Sequence, residues 1–178
     1  CASGLQTIAG IAARIAVGEM DVAMAGGVES MTSVPMGGFH PQLHPELARE
    51  FPAAYIGMGT TAELVAAKFE VNREQQDGFA VRSQAKASAA RDSGVLAQEI
   101  VPVTTSVDGK EVTVEHDELI RTGTTMEGLA KLRPVFKPKG GSVTAGNASP
   151  LTDGAAMVVM MDKETAGDRE VLGTFQAF

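Results

Sequence analysis

A layered α/β fold is what this sequence predicts, from three observations. Residues 3–17 are apolar or small around nearly the whole circumference of a helix, which is the pattern of a buried helix. Gly18 ends that run, and Val22-Ala23-Met24-Ala25-Gly26-Gly27 follows as a short apolar strand bounded by glycines. A second apolar run of strand length, Ala155 to Met161, returns late in the chain, so helices and a hairpin lie between two buried strands.

The intervening elements follow in order. Pro35, Gly37, Gly38, Pro41, Pro45 and Pro52 make residues 31–55 mostly loop, with one short helix over Glu46 to Arg49. Long loops inside compact domains are usually functional. Thr60 with Glu63 reads as a capping box opening a helix to Phe69, and Asn72 with Gln75 as one opening a helix to Ser93, closed by Gly94. Ile100 to Val107 and Lys110 to Glu115 are β-rich runs joined at Asp108-Gly109, a strong hairpin signal. Residues 120–139 are basic and irregular. After Asp162 a short helical or loop stretch leads to Leu172-Gly173-Thr174-Phe175, read as the start of another strand.

The 178 residues suffice for one domain with a core, or for a domain and part of another. With 15 Lys+Arg against 22 Asp+Glu and no basic block interleaved with aromatics, a nucleic-acid role is not expected. No apolar run reaches membrane-spanning length without Gly or charge, so no membrane partner is expected either. A single cysteine excludes an internal disulfide framework and fits a reducing compartment, here taken as the cytoplasm. His40 and His44 lie in a Pro-rich loop with no third ligand at metal spacing, so no metal site is expected.

Cys1 is the candidate nucleophile. A thiol at a helix N-terminus meets unpaired backbone N–H groups and the positive end of the macrodipole, both of which favour thiolate. Taken by itself, a lone Cys is most often a buried small hydrophobe.

Several widely spaced segments bear on that choice. Cys1-Ala2-Ser3-Gly4-Leu5-Gln6 resembles the nucleophile motif of the thiolases, and Ala25-Gly26-Gly27-Val28-Glu29-Ser30-Met31 the strand and turn that follow. Met58-Gly59-Thr60-Thr61-Ala62-Glu63, Lys131-Leu132-Arg133-Pro134 and Thr144-Ala145-Gly146-Asn147-Ala148-Ser149 with Asp153-Gly154-Ala155-Ala156 are further matches. Their order and spacing make the resemblance to that family specific.

The resemblance implies a thiolase-like layered α-β-α fold in which two similar halves pack together and a loop domain inserted in the first half grips coenzyme A. Residues 1–31 would then be the back part of the first half, 32–141 the loop domain, 142–170 the end of that half, and 171–178 a stub of the second. It implies a Cys1 thiolate that carries the acyl group between CoA thioesters, in 3-ketoacyl-CoA thiolysis or the reverse Claisen condensation. Acyl-CoA, acetyl-CoA and CoA would be the partners, with no tightly bound cofactor, and the whole protein a homodimer or homotetramer. Residue by residue, Arg121 matches the arginine beside the adenine of CoA and Phe136 an aromatic lining the same pocket. Met58 matches a pantetheine neighbour, with Gly57 where some members carry histidine, and Ala145 and Ser149 match residues along the pantetheine arm.

The family's Asn-Glu-Ala-Phe, Gly-His-Pro and Cys-x-Gly-Gly-Gly motifs do not occur in these residues, and His40, His44 and His116 stand in other contexts. Catalytic silence of this stretch alone is therefore expected. The Ser30 to Gly38 stretch looks more like degradative members than biosynthetic ones. Two other readings stand beside this one: an N-terminal-nucleophile amidohydrolase using the Cys1 α-amine as base, and a non-catalytic CoA-binding module. A ketoacyl synthase fits less well, because it lacks the loop insertion and the Met58 to Glu63 segment.

Overall fold

A computed structural model describes residues 2–177, so Cys1 and the expectations placed on it lie outside the described residues. The chain forms two compact units, one from residues 1–42 and 151–178, the other from residues 43–150.

In the first unit, helix α1 (Ser3–Ala16) leads through a turn at Gly18, φ 74°, into strand β1 (Val22–Glu29). Strand β4 (Gly154–Met161) pairs with β1 in antiparallel register, Val22 opposite Met161 and Glu29 opposite Gly154. That pairing joins the two apolar runs that frame the intervening residues. The alternation of a strand puts Ala23, Ala25 and Gly27 on one face, and Ala25 is buried there. Helix α1 approaches that face so closely that a Cβ on Gly27 would sit 2.6 Å from the Gly4 nitrogen. Two hydroxyls fasten the contact: Thr7 Oγ1 donates to the Gly26 carbonyl at 2.8 Å and Ser3 Oγ to Glu29 Oε1 at 2.7 Å. Helix α6 (Lys163–Ala166) follows β4, capped by Asp162, whose Oδ1 accepts from the Thr165 N–H at 2.8 Å.

Three expectations change here. Neither α1 nor β4 contains a buried residue, because among the described residues only one face of the β1–β4 sheet is covered. On the other face Met24, Val28, Met157 and Val159 stand exposed. Residues 171–177 carry no regular structure, so the strand expected at Leu172 to Phe175 does not form.

In the second unit, α2 (Pro45–Glu50) begins with Pro45 at N1 and His44 Nδ1 accepting from the Leu47 N–H at 3.3 Å. A 3₁₀ turn, Pro52–Tyr55, leads to α3 (Met58–Lys68). Helix α4 (Arg73–Asp92) has the expected capping box, with Gln75 N–H to Asn72 Oδ1 and Asn72 N–H to Gln75 Oε1 both at 2.9 Å. The Thr60–Glu63 box does not form: α3 starts three residues earlier, with Gly57 rather than Thr60 at the N-cap, and Glu63 is engaged elsewhere. Strands β2 (Val103–Val107) and β3 (Lys110–Val114) pair as expected, and Asp108 and Gly109 both take the positive φ, 51° and 77°, of a two-residue hairpin turn. Within the basic, irregular stretch lies a further short helix, α5 (Met126–Ala130), started by Thr125, whose hydroxyl accepts from the Gly128 N–H at 3.1 Å. Its N-cap pattern is too short to separate from a turn by sequence.

Candidate functional site

The second unit holds all five residues matched to CoA contacts, and two of them, Ala145 and Ser149, lie in a loop over residues 142–149. Glu63 on α3 accepts from the Ser142 N–H at 2.9 Å, the Ser142 hydroxyl at 3.1 Å and the Val143 N–H at 2.8 Å. Partial burial works to raise the Glu63 pKa, but the Val143 and Ser142 donors with Lys137 nearby outweigh it and hold the carboxyl below its ordinary 4.5. Asp77 on α4, 2% exposed, accepts from Arg73 Nε at 2.7 Å and from Asn147 Nδ2 at 2.9 Å. Asn147 completes the loop internally, its Oδ1 accepting from the Thr144 N–H at 2.7 Å and its Nδ2 donating to the Ser142 carbonyl at 3.0 Å. Arg73 also donates to the carbonyls of Leu129 and Leu132 at the end of α5.

Apolar packing supports the same loop. A Cβ on Gly146 would lie 2.5 Å from Leu129 Cδ2 and 2.6 Å from Leu132 Cδ1, so glycine is what admits those two leucines. The Val135 N–H donates to the Val143 carbonyl at 3.0 Å, which lays residues 135 and 136 beside the loop base. Phe136 in turn rests on Gly59, where any Cβ would overlap its ring.

Met58 therefore stands next to the residue on which Phe136 lies, and it is 77% exposed. Phe136 is half exposed. Ala145 and Ser149 are exposed, although Val143 and Thr144 at the loop base are buried. Arg121 lies at a different point of the unit: its N–H donates to Gln84 Oε1 at 2.8 Å and its carbonyl accepts from the Thr124 hydroxyl at 2.8 Å. Among the described residues its guanidinium makes no hydrogen bond or ion pair, so the backbone is held and the charge is presented to solvent. Glu63, Asp77 and Asn147 were not singled out as site residues by sequence reasoning. Asn147 and Glu63 both lie inside quoted motifs, Glu63 read there as the capping-box partner of Thr60, while Asp77 reads as ordinary charge on a helix surface.

In the first unit, the start of α1 borders an open cleft of about 430 Å³ lined by Gly4, Ile8, Gly27, Glu29, Ala156 and Met157. Asp153 accepts from the Thr32 N–H at 2.9 Å, and the Thr32 N–H and hydroxyl hold its carboxyl below the usual range. This closes the loop after β1 onto the one before β4. Among the described residues no group of three His, Cys, Asp or Glu is placed to hold a metal ion, and no helix is long and apolar enough to cross a membrane.

Known proteins are similar to this chain in sequence and in fold. The family model for the thiolase N-terminal domain matches residues 1–164. The peroxisomal 3-ketoacyl-CoA thiolase B of Mus musculus is 46% identical over 187 residues, covering 100% of this chain and 44% of that protein. The 3-ketoacyl-CoA thiolase of Bacillus subtilis is 46% identical over 175 residues, covering 93% of this chain and 44% of its own length. Among solved structures, the dimeric peroxisomal thiolase of Saccharomyces cerevisiae superposes with TM-score 0.82 at 39% identity, over 93% of this chain and 42% of that one. Human mitochondrial 3-ketoacyl-CoA thiolase gives 0.77 at 35% identity, over 93% and 45%. The chain thus spans less than half the length of the relatives it matches. The layered α/β class read from the sequence holds, and the chain belongs to the thiolase family, whose N-terminal domain it carries.

Proposed function

We infer that the whole protein to which these residues belong is an acyltransferase of the thiolase type, acting on CoA thioesters through an acyl group carried on Cys1. In thiolysis the Cys1 thiolate attacks the keto carbon of a 3-ketoacyl-CoA, and the bond between that carbon and C2 breaks. Acetyl-CoA leaves once C2 takes a proton, and the sulfur of a second CoA then displaces the Cys1 sulfur from the acyl carbon. Such chemistry needs an activating base, a second acid/base and oxyanion donors besides the thiolate. CoA enters and leaves as substrate and product, with no tightly bound cofactor.

The observation that carries this reading is the way the second unit spaces its candidates. Asp77 anchors the Ala145–Ser149 loop to α4, and Gln84 of the same helix anchors Arg121. Seven residues of helix separate the two anchors by about 10 Å. An apolar wall and a loop hydroxyl at one end, and a solvent-facing cation at the other, suit an elongated ligand with an apolar arm and a phosphorylated head. The loop-domain assignment of residues 32–141 is proposed on the same ground, with the compact unit 43–150 as its support. A dimer or a dimer of dimers is proposed from the dimeric yeast relative. Relatives from mammalian peroxisomes and from a bacterium match about equally well, so the cytoplasm and the peroxisome both fit the family, and subcellular fractionation of the native host decides between them.

The test is a calorimetric titration of the 178-residue chain with CoA. One site per chain is expected, weakened in Arg121→Gln and Phe136→Ala while Lys110→Gln on the hairpin binds as wild type. Absence of a binding heat, or equal affinity in all variants, would remove the support for a CoA-gripping unit.

A further inference from the structure

Asp77 is a nearly fully buried carboxylate on a helix that buries no other charged residue. Its two oxygens serve different ends. Oδ2 takes Arg73 Nε, and each terminal nitrogen of Arg73 donates once, to the Leu129 and Leu132 carbonyls. Oδ1 takes Asn147 Nδ2. Burying a carboxylate is costly, and well-packed apolar residues could join helix and loop at least as firmly. What a carboxylate adds is direction. Being acceptor-only, it requires the NH₂ edge of Asn147 to face α4, which turns the Asn147 carbonyl oxygen toward the loop. There it accepts from the Thr144 N–H, while the same NH₂ group reaches the Ser142 carbonyl. The reversed amide would set donor against donor at Thr144. Thr144 is fully buried by this arrangement, and its neighbour Ala145 and the following Ser149 are left exposed.

We propose that Asp77 is a positioning residue for the ligand loop: acting through Asn147, it selects the single amide orientation that shapes residues 142–149 and so presents Ala145 and Ser149 to the pantetheine arm of CoA. It touches no ligand itself. This rests on the CoA-binding reading above.

The experiment uses the 178-residue chain in two parallel readings, amide hydrogen exchange and CoA titration. In the wild type the Thr144 amide should be protected to the level of the α4 interior. Asn147→Asp sets two carboxylates against each other, and Asp77→Asn, whose carbonyl stays on Arg73 Nε, sets its NH₂ against the NH₂ of Asn147. Each single variant should speed exchange at Thr144 and lower CoA affinity, both by about tenfold or more. The double variant, Asp77→Asn with Asn147→Asp, restores a donor–acceptor pair with its polarity reversed: the amide now on α4 gives its NH₂ to the carboxylate now on the loop, while its carbonyl accepts from Arg73. Protection and affinity should both recover by about threefold or more over either single variant, short of wild type because the Ser142 carbonyl keeps no donor, a rescue that loss of packing would not show. If a single variant unfolds, exchange along Ala80 to Ala90 reports it and the double variant carries the test. Affinity unchanged while Thr144 is released, or a double variant no better than the singles, overturns the positioning role. A wild-type chain that protects Thr144 but binds no CoA overturns the ligand reading itself, and the inference with it.

Discussion

Gly146 and Gly59 are small because large neighbours occupy their space. Leu129 and Leu132 close over the first and the Phe136 ring over the second. Gly146→Ala should therefore cost about 1–3 kcal/mol through overpacking, read as a lower urea midpoint at unchanged slope. Asp77→Ala leaves Arg73 and Asn147 without their shared acceptor in a buried place, and a loss of about 3–5 kcal/mol is expected. The legibility of such residues from sequence divides along a physical line. Phe136, Met58, Ala145 and Ser149 stand out as candidates because they sit in or beside motifs whose order along the chain is distinctive. Asp77 does not, since a carboxylate in a charged helix carries no local sign of a partner as distant in the chain as Asn147.

The same division holds for whole elements. The capping box of α4 and the Asp108-Gly109 turn are local chemistry and formed as read. Asn72→Ala should cost about 0.5–2 kcal/mol, measurable by thermal or urea unfolding. The Thr60–Glu63 pair has the same local pattern yet does something else, because Ser142 and Val143 offer Glu63 three donors from a distant loop. A pH dependence follows. A carboxyl whose folded pKa lies below its unfolded value stabilises the fold at pH above the unfolded value, and that contribution disappears as the pH falls through the folded one. Glu63→Gln should be less stable than wild type near neutral pH. The two should converge as the pH falls from the ordinary 4.5 through the lowered Glu63 value. Urea midpoints measured from neutral pH downward check this, and a gap that widens in acid would reverse the assignment.

Across the whole molecule, the sequence conveyed which apolar runs are strands but not which of their faces find cover. Burial was expected for α1 and β4 from apolar content alone, whereas burial depends on a partner layer. The β1–β4 sheet has one in α1 on one side, and on the other Met24, Val28, Met157 and Val159 remain exposed. A contiguous apolar face of this kind promotes association. Light scattering of the 178-residue chain should show self-association that grows with concentration, and a compact monomer at all concentrations would contradict it. The same chain, lacking the family's histidine and second cysteine motifs, should not cleave acetoacetyl-CoA with CoA. The most direct measurement is peptide mass spectrometry of the whole protein, trapped by acid during turnover of acetoacetyl-CoA. An acetyl group on the peptide that contains Cys1 is the expected result. Turnover with that peptide unmodified, or with the acetyl group elsewhere, would contradict the assignment of Cys1 as the acyl carrier.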